Sequence, residues 1–182
     1  SEPRTEPVNR GETALPALLA VPAERVFPAG GQPYRAVPDR RRRVGIDVLE
    51  NALPGRTASA LARHGDREVH WRAAGASGLR ARQVAELFAQ QPADERVDVV
   101  LVSVGVNDVT GIGSTRRWRR DLSRLLDAIH AAHPGALLVL AGLPPMDRFP
   151  LLPQPLGAAL GIRARTFDAI ARELAAARAW VL

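Results

Sequence analysis

Gly105-Val106-Asn107-Asp108 and, one helix earlier, Ala76-Ser77-Gly78 are the stretches whose residue types and spacing could do chemistry. An asparagine amide and a glycine backbone N–H are fixed hydrogen-bond donors. Converging on one point, they would hold a developing oxyanion, a device worth roughly 10²–10³ in rate per donor. Glycine suits such a place because a substrate oxygen can approach its backbone unhindered. Both stretches also read as plain tight turns, since asparagine and aspartate order turns and cap helices without any chemistry. From the residues alone the two readings stand side by side.

The elements that must position these residues are legible in the pattern. Val97 to Val104 is a nearly continuous β-branched and aliphatic run, broken only by Asp98 and Ser103. That composition predicts a strand buried on both faces of a parallel sheet. It discharges into 105–111, and in an open α/β sheet ligands bind at that carboxyl edge. Before it, Pro54 fits the first turn of a helix carried by 56–63, with His64-Gly65 as the stop. Residues 68–74 alternate like a strand, 75–78 form a small-residue loop, and a helix spans about 79–90.

After the central loop, Ser114 reads as the N-cap of a long helix. Trp118, Leu122, Leu125, Leu126 and Ile129 form its apolar face, while Arg116, Arg117, Arg119, Arg120 and Arg124 occupy the other. Pro134-Gly135 ends it. Residues 136–141 predict a second buried strand, 142–146 an abrupt loop, and 157–178 a final helix. Trp180-Val181-Leu182 reads as the opening of another strand. The apolar, proline-rich stretch 143–156 fits either an acyl-pocket wall or a surface crossover onto the last helix. Strand and helix alternation predicts a three-layer α/β/α fold with a parallel sheet and right-handed crossovers, missing its first and last strands.

Residues 1–43 differ from this regular domain at 44–182. Seven prolines, scattered acids, Gly30-Gly31 and the run Arg40-Arg41-Arg42-Arg43 carry no sustained period. An irregular or disordered segment is expected there, with a short helix near 15–25.

Composition narrows the function classes. With 182 residues, 46% apolar and 24% charged, the chain has the balance of one globular domain with a real core. It has no cysteine, which excludes disulfides, a thiol nucleophile and cysteine metal sites. His130 and His133 are three apart with no carboxylate at matching spacing, so surface or boundary positions are expected and no metal or cofactor is predicted. The net charge of +6 invites a polyanion partner. All 25 basic residues are arginine, however, which together with abundant alanine, glycine and proline points to GC-rich coding. Aromatic stacking platforms are few at 4%, so no nucleic-acid partner is expected. No stretch approaches the roughly 20 apolar residues of a membrane span. The mildly apolar 14–23 is interrupted by Pro16 and Pro22 and makes a poor signal peptide, which favours the cytoplasm.

Gly105-Val106-Asn107-Asp108 resembles the G-x-N-D block of the SGNH hydrolases, also called the GDSL esterase and lipase family. Gly78 falls where that family keeps its oxyanion glycine, and Gly142-Leu143-Pro144-Pro145-Met146 is similar to the segment following its fourth strand. The resemblance covers about 44–182. It implies a flavodoxin-like fold and hydrolysis of a small-molecule ester or thioester through an acyl-serine intermediate. Gly78 and Asn107 would join the nucleophile's own N–H in holding the oxyanion, and Asp108 would order the loop rather than move a proton.

The departures are equally specific. The family's nucleophile lies in a Gly-Asp-Ser block after the first strand, where this chain reads Val37-Pro38-Asp39-Arg40-Arg41-Arg42-Arg43 with no hydrophobic strand ahead of it. The family's base lies in a C-terminal Asp-x-x-His that is not reached, and none of His64, His70, His130 or His133 stands in its place. Ser77 is followed by Leu79 where a Gly-x-Ser-x-Gly elbow needs glycine, Ser103 falls inside the predicted strand, and Ser114 is a cap. The expectation is an incomplete hydrolase, inactive as given, with a non-catalytic carboxylate- or acyl-binding module as the alternative. A shifted reading frame over 1–43 would account for the arginine run, because GC-rich codons for a Thr-Ala-Ala-Gly-like stretch read as arginine out of frame.

Overall fold

The structure, a computed structural model, describes residues 18–22, 36–38, 53–65, 69–74, 78–90, 97–111, 113–149 and 152–182. Five strands form one sheet: β1 (Leu18–Pro22), β2 (Ala36–Pro38), β3 (Val69–Ala74), β4 (Val97–Val102) and β5 (Leu137–Leu140), in the order β2-β3-β1-β4-β5. Helices α1 (Leu53–Gly65), α2 (Ala81–Phe88), α3 (Val106–Thr110), α4 (Thr115–Ala132) and α5 (Leu156–Ala176) connect and follow them. The fold is α/β, as the alternation predicts.

Side chains in a strand alternate between faces, and the two hydrophobic clusters obey that rule. Val100, Val102, Ala74 and Leu138 pack with α2, α4 and α5. Leu101, Val69 and Trp71 pack with Ala58 and Ala62 of α1, against Val99 and Val139. From Val99 onward the run is apolar at both parities because each parity meets its own helices, while Val97 at the start of β4 joins the larger cluster. In the larger cluster Trp118, Leu122, Leu125 and Leu126 are almost fully buried. Each such leucine contributes about 2 kcal/mol by the area it removes from water.

Four strands share a direction, but β1 does not. It pairs antiparallel with both β3, where Leu19 faces Ala73, and β4, where Leu19 faces Leu101. This corrects two expectations: an all-parallel sheet, and a short helix near 15–25. A run of five residues is too short for periodicity to separate strand from helix. Between β3 and β4 two open edges of backbone donors and acceptors need a partner, and an extended segment satisfies both. The register slips between Val21 and Pro22, where proline has no N–H to give the ladder. β2, also within the segment expected to be irregular, pairs parallel with β3; most of 1–43 lies outside the described residues.

Helices α1, α2, α4 and α5 and strands β3, β4 and β5 fall within a few residues of expectation. At the C-terminus Val181 bridges Leu138 in parallel, with Leu138 N–H donating to the Trp180 carbonyl at 3.0 Å. The proline-rich connection after β5 makes a 3-10 turn at Met146–Arg148 that packs on α5, and Met146 is buried in the core. Among the described residues no helix is long and apolar enough to cross a membrane.

Candidate active site

Because β3, β4 and β5 run the same way, the chain leaves all three at one edge of the sheet. Three segments meet there: 78–80, 103–111 and 141–146. The second holds more order than the sequence suggests. Residues expected as an open polar loop form the short helix α3, opened by the Val109 N–H bond to the Gly105 carbonyl at 2.8 Å. Gly105 makes the bend. Its φ of +118° is a left-handed value that side chains resist. A Cβ there would also lie 2.7 Å from Leu143 Cδ2 and 2.9 Å from Trp118 Cη2. Ser103 sits just past the end of β4 rather than inside it.

The first two segments are tied side chain to backbone. Asn107 Nδ2 donates to the Leu79 carbonyl at 2.9 Å, and the Ala81 N–H donates to Asp108 Oδ2 at 3.0 Å. Both bonds span the gap between the segment after β3 and the helix after β4, so Asn107 and the 78–81 backbone are held together. Asn107 uses one of its two amide protons on Leu79; the other is the one an oxyanion role would require. Gly78 sits one residue upstream, exposed, at φ +81°, and a Cβ on it would meet nothing within 4 Å. Glycine is needed there for the backbone conformation, and the space above it is open. Asp108 is buried at 8% exposure. Burial pushes its carboxyl above the usual 3.8, opposed by the Ala81 hydrogen bond and by the charge of Arg80.

Arg163 of α5 is a participant that the sequence reading misses. Its Nε donates to the Val109 carbonyl at 2.6 Å, and its NH2 group to the carbonyls of Asp108 (3.3 Å), Gly111 (3.1 Å) and Gly113. One planar cation thus satisfies the carbonyl end of α3, while its face lies 4.5 Å from the Phe167 ring centre. Phe167 in turn stacks on Trp118, whose Nε1 donates to the Phe167 carbonyl at 2.9 Å. No spacing rule flags Arg163, because its acceptors lie about 50 residues earlier in the chain. Asp168, also on α5, holds the third segment by accepting from the Leu143 N–H at 3.0 Å.

The titratable residues weighed as a base are elsewhere. His64 ends α1 and His70 opens β3, while His130 and His133 end α4 just before β5. All four therefore sit toward the amino edge, opposite Asn107. His133 is buried against Phe88 in a T-shaped contact, which corrects the expectation of a surface or boundary histidine. The string Asp127-Ala128-Ile129-His130 has the Asp-x-x-His spacing but lies inside α4, its histidine stacked 4.1 Å from Trp180. Ser114 is an N-cap, its Oγ accepting from the Arg117 N–H at 3.2 Å. Ser77 lies outside the described residues. No group of three or more His, Asp or Glu side chains is gathered as a metal site among the described residues.

A search of curated proteins returned no match. Residues 29–182 match the family described as GDSL-like Lipase/Acylhydrolase family, a span that includes the Gly78 and Asn107 segments and begins ahead of Val44. With that match over most of its length, and a Gly-x-Asn-Asp block at the carboxyl edge of a buried strand, the chain belongs to the GDSL-like lipase/acylhydrolase family.

Proposed function

We propose that this chain carries the oxyanion-binding half of an SGNH-type ester or thioester hydrolase on a three-layer, flavodoxin-like scaffold. Gly78 N–H and Asn107 Nδ2 are the two donors, and Asp108 orders the segment between them by capping the start of α2. The acyl carbonyl of a small ester would lie over the open face of Gly78. In the family's chemistry a serine attacks that carbon, the oxygen gains charge, and donors already in place stabilise it without reorganisation. The observation that carries this reading is the pair of cross-segment bonds from Asn107 to Leu79 and from Ala81 to Asp108. They hold the asparagine beside the glycine segment.

Residues 1–182 contain no Gly-Asp-Ser, and no histidine follows α5. This polypeptide is therefore expected to turn over p-nitrophenyl butyrate no faster than its Asn107→Ala variant does, and to leave a fluorophosphonate probe unreacted. Serine labelling would overturn the inactivity. The donor pair is tested by supplying what is lacking. A version carrying a Gly-Asp-Ser segment ahead of Val44 and an Asp-x-x-His after Leu182 is expected to hydrolyse the ester. Asn107→Ala in that version is expected to lower kcat by about 10²–10³. An unchanged kcat would remove Asn107 from the reaction.

A further inference from the structure

Beside Gly78 a groove of about 540 Å³ runs between the first turn of α2 and the first turn of α4. Its walls carry Arg80 and Arg82 on one side and Arg117 and Arg120 on the other. Two aspartates also line it, and both are occupied. Asp108 accepts from Ala81, and burial disfavours its charge. Asp121, 4% exposed, pairs with Arg120 at 2.9 Å. Arg82 bridges to Glu86 one turn along α2, an exposed pair worth little. Arg80 and Arg117, one from each wall, form no ion pair within 4 Å among the described residues; the charge of Arg80 also acts on the buried Asp108, and its guanidinium packs beside Gly111. Four arginines against two engaged aspartates leave the groove cationic.

We infer that this groove binds an anionic group, a carboxylate or a phosphate, clamped between the Arg80 and Arg117 guanidinium groups. Guanidinium is suited to that work: it is planar, always charged, and presents paired donors that match two oxygens of one anion. A groove in water with such walls draws anions from a distance and loses them as salt rises. Because Gly78 lines the same groove, an anion held there would share it with the acyl position. The substrate class is then an ester or thioester carrying a carboxylate or phosphate on the part that enters the groove. That assignment rests on the hydrolase reading; anion binding itself does not.

The test titrates the chain as it stands with inorganic phosphate and, separately, with succinate, following backbone amide resonances and the binding isotherm. At least one of the two is expected to shift the amides of 78–83 and 114–120, and to bind more weakly as sodium chloride is added. Binding by phosphate alone or by succinate alone identifies the group the groove takes. Arg117→Gln combined with Arg80→Gln is expected to weaken binding by about tenfold or more. Arg124→Gln removes the same charge from the exposed face of α4 outside the groove and is expected to leave affinity unchanged. Absence of shifts with both anions overturns the inference, as does equal weakening by Arg124→Gln or a response centred on other residues. Should an anion bind as expected while the reconstituted hydrolase ignores esters, the groove stands and the enzymatic reading falls.

Discussion

The two ends of α4 are built from similar residues and have opposite characters. At its amino end Arg117 and Arg120 line a groove that Gly78 and Asp108 also line, and the space around Gly78 is open. At its carboxyl end Asp127 accepts from Ser123 at 3.2 Å and from Arg178 at 2.9 Å, and Arg178 also donates to Ser123 at 2.7 Å. His130 lies flat on Trp180 there, its buried Nδ1 without a hydrogen-bond partner among the described residues. A serine, an aspartate and a histidine on one helix look catalytic on paper. Here the aspartate is spent on Arg178, which docks the end of α5 onto α4. The difference teaches that side-chain types which line an open groove at one end form a joint where they are directed at each other.

The largest expected effect breaks the open end. Gly105→Ala places a Cβ against Leu143 and Trp118 at a left-handed φ. It is expected to cost about 3 kcal/mol from overpacking and backbone strain together, measured by urea unfolding. Arg163→Met follows, at about 2 kcal/mol, since carbonyls at the end of α3 lose a charged donor. Amide exchange is expected to quicken at 109–114 while the far end of α4 stays protected. Uniform loss of protection would mean that α3 is not a separable unit.

Arg178→Met sharpens the comparison from the other side. It is expected to cost about 1 kcal/mol and to leave exchange at Asn107 and anion binding unchanged. A change at either place would couple the two ends.

Asp108→Asn is smaller still and is read against pH. The Asp108 carboxyl is raised by burial, so the folded chain holds its proton more tightly than the unfolded chain. Its contribution is most favourable below the unfolded value of 3.8 and is lost as pH rises through the higher folded value. The native chain is therefore expected to lose stability relative to Asp108→Asn across that window, seen in urea midpoints below 3.8 and at neutral pH. The opposite slope would mean that the Ala81 bond and Arg80 outweigh burial.

The smallest effect belongs to Glu173, which meets Arg119 through two oxygens at 2.7 and 2.5 Å on the exposed faces of α4 and α5. The Arg119 bonds lower its carboxyl below the usual 4.5. Stabilisation from the pair is present above 4.5 and is lost as pH falls through the lowered folded value. Glu173→Gln is expected to leave the neutral-pH midpoint within error, since exposed pairs contribute little.

Much of the framework was legible because its signals are local. The valine-rich β4, the apolar stripe of α4 and the Ser114 cap each depend on neighbours within a few residues, and each stands where the pattern puts it. The placements that differ depend on distant partners. Leu18–Pro22 is extended because β3 and β4 flank it, not because its own residues demand a strand. His133 is buried because Phe88 of α2 covers it. Arg163 stands out only once α5 lies across the end of α3.

By itself the sequence determined the α/β class, the family, and which residue types stand at the ends of the buried strands. Hydrophobic period and cap chemistry act over one or two turns, so they can be read along the chain. Tertiary structure alone decided what those residues face. Asn107 reaches Leu79 across 28 positions and Arg163 reaches Val109 across 54. Arg80 caps α2, which precedes β4 in the chain, and Arg117 lies on α4, which follows it. A hydrogen bond or a shared groove depends on distance in space, and only the folded sheet, by turning β3, β4 and β5 toward one edge, sets that distance.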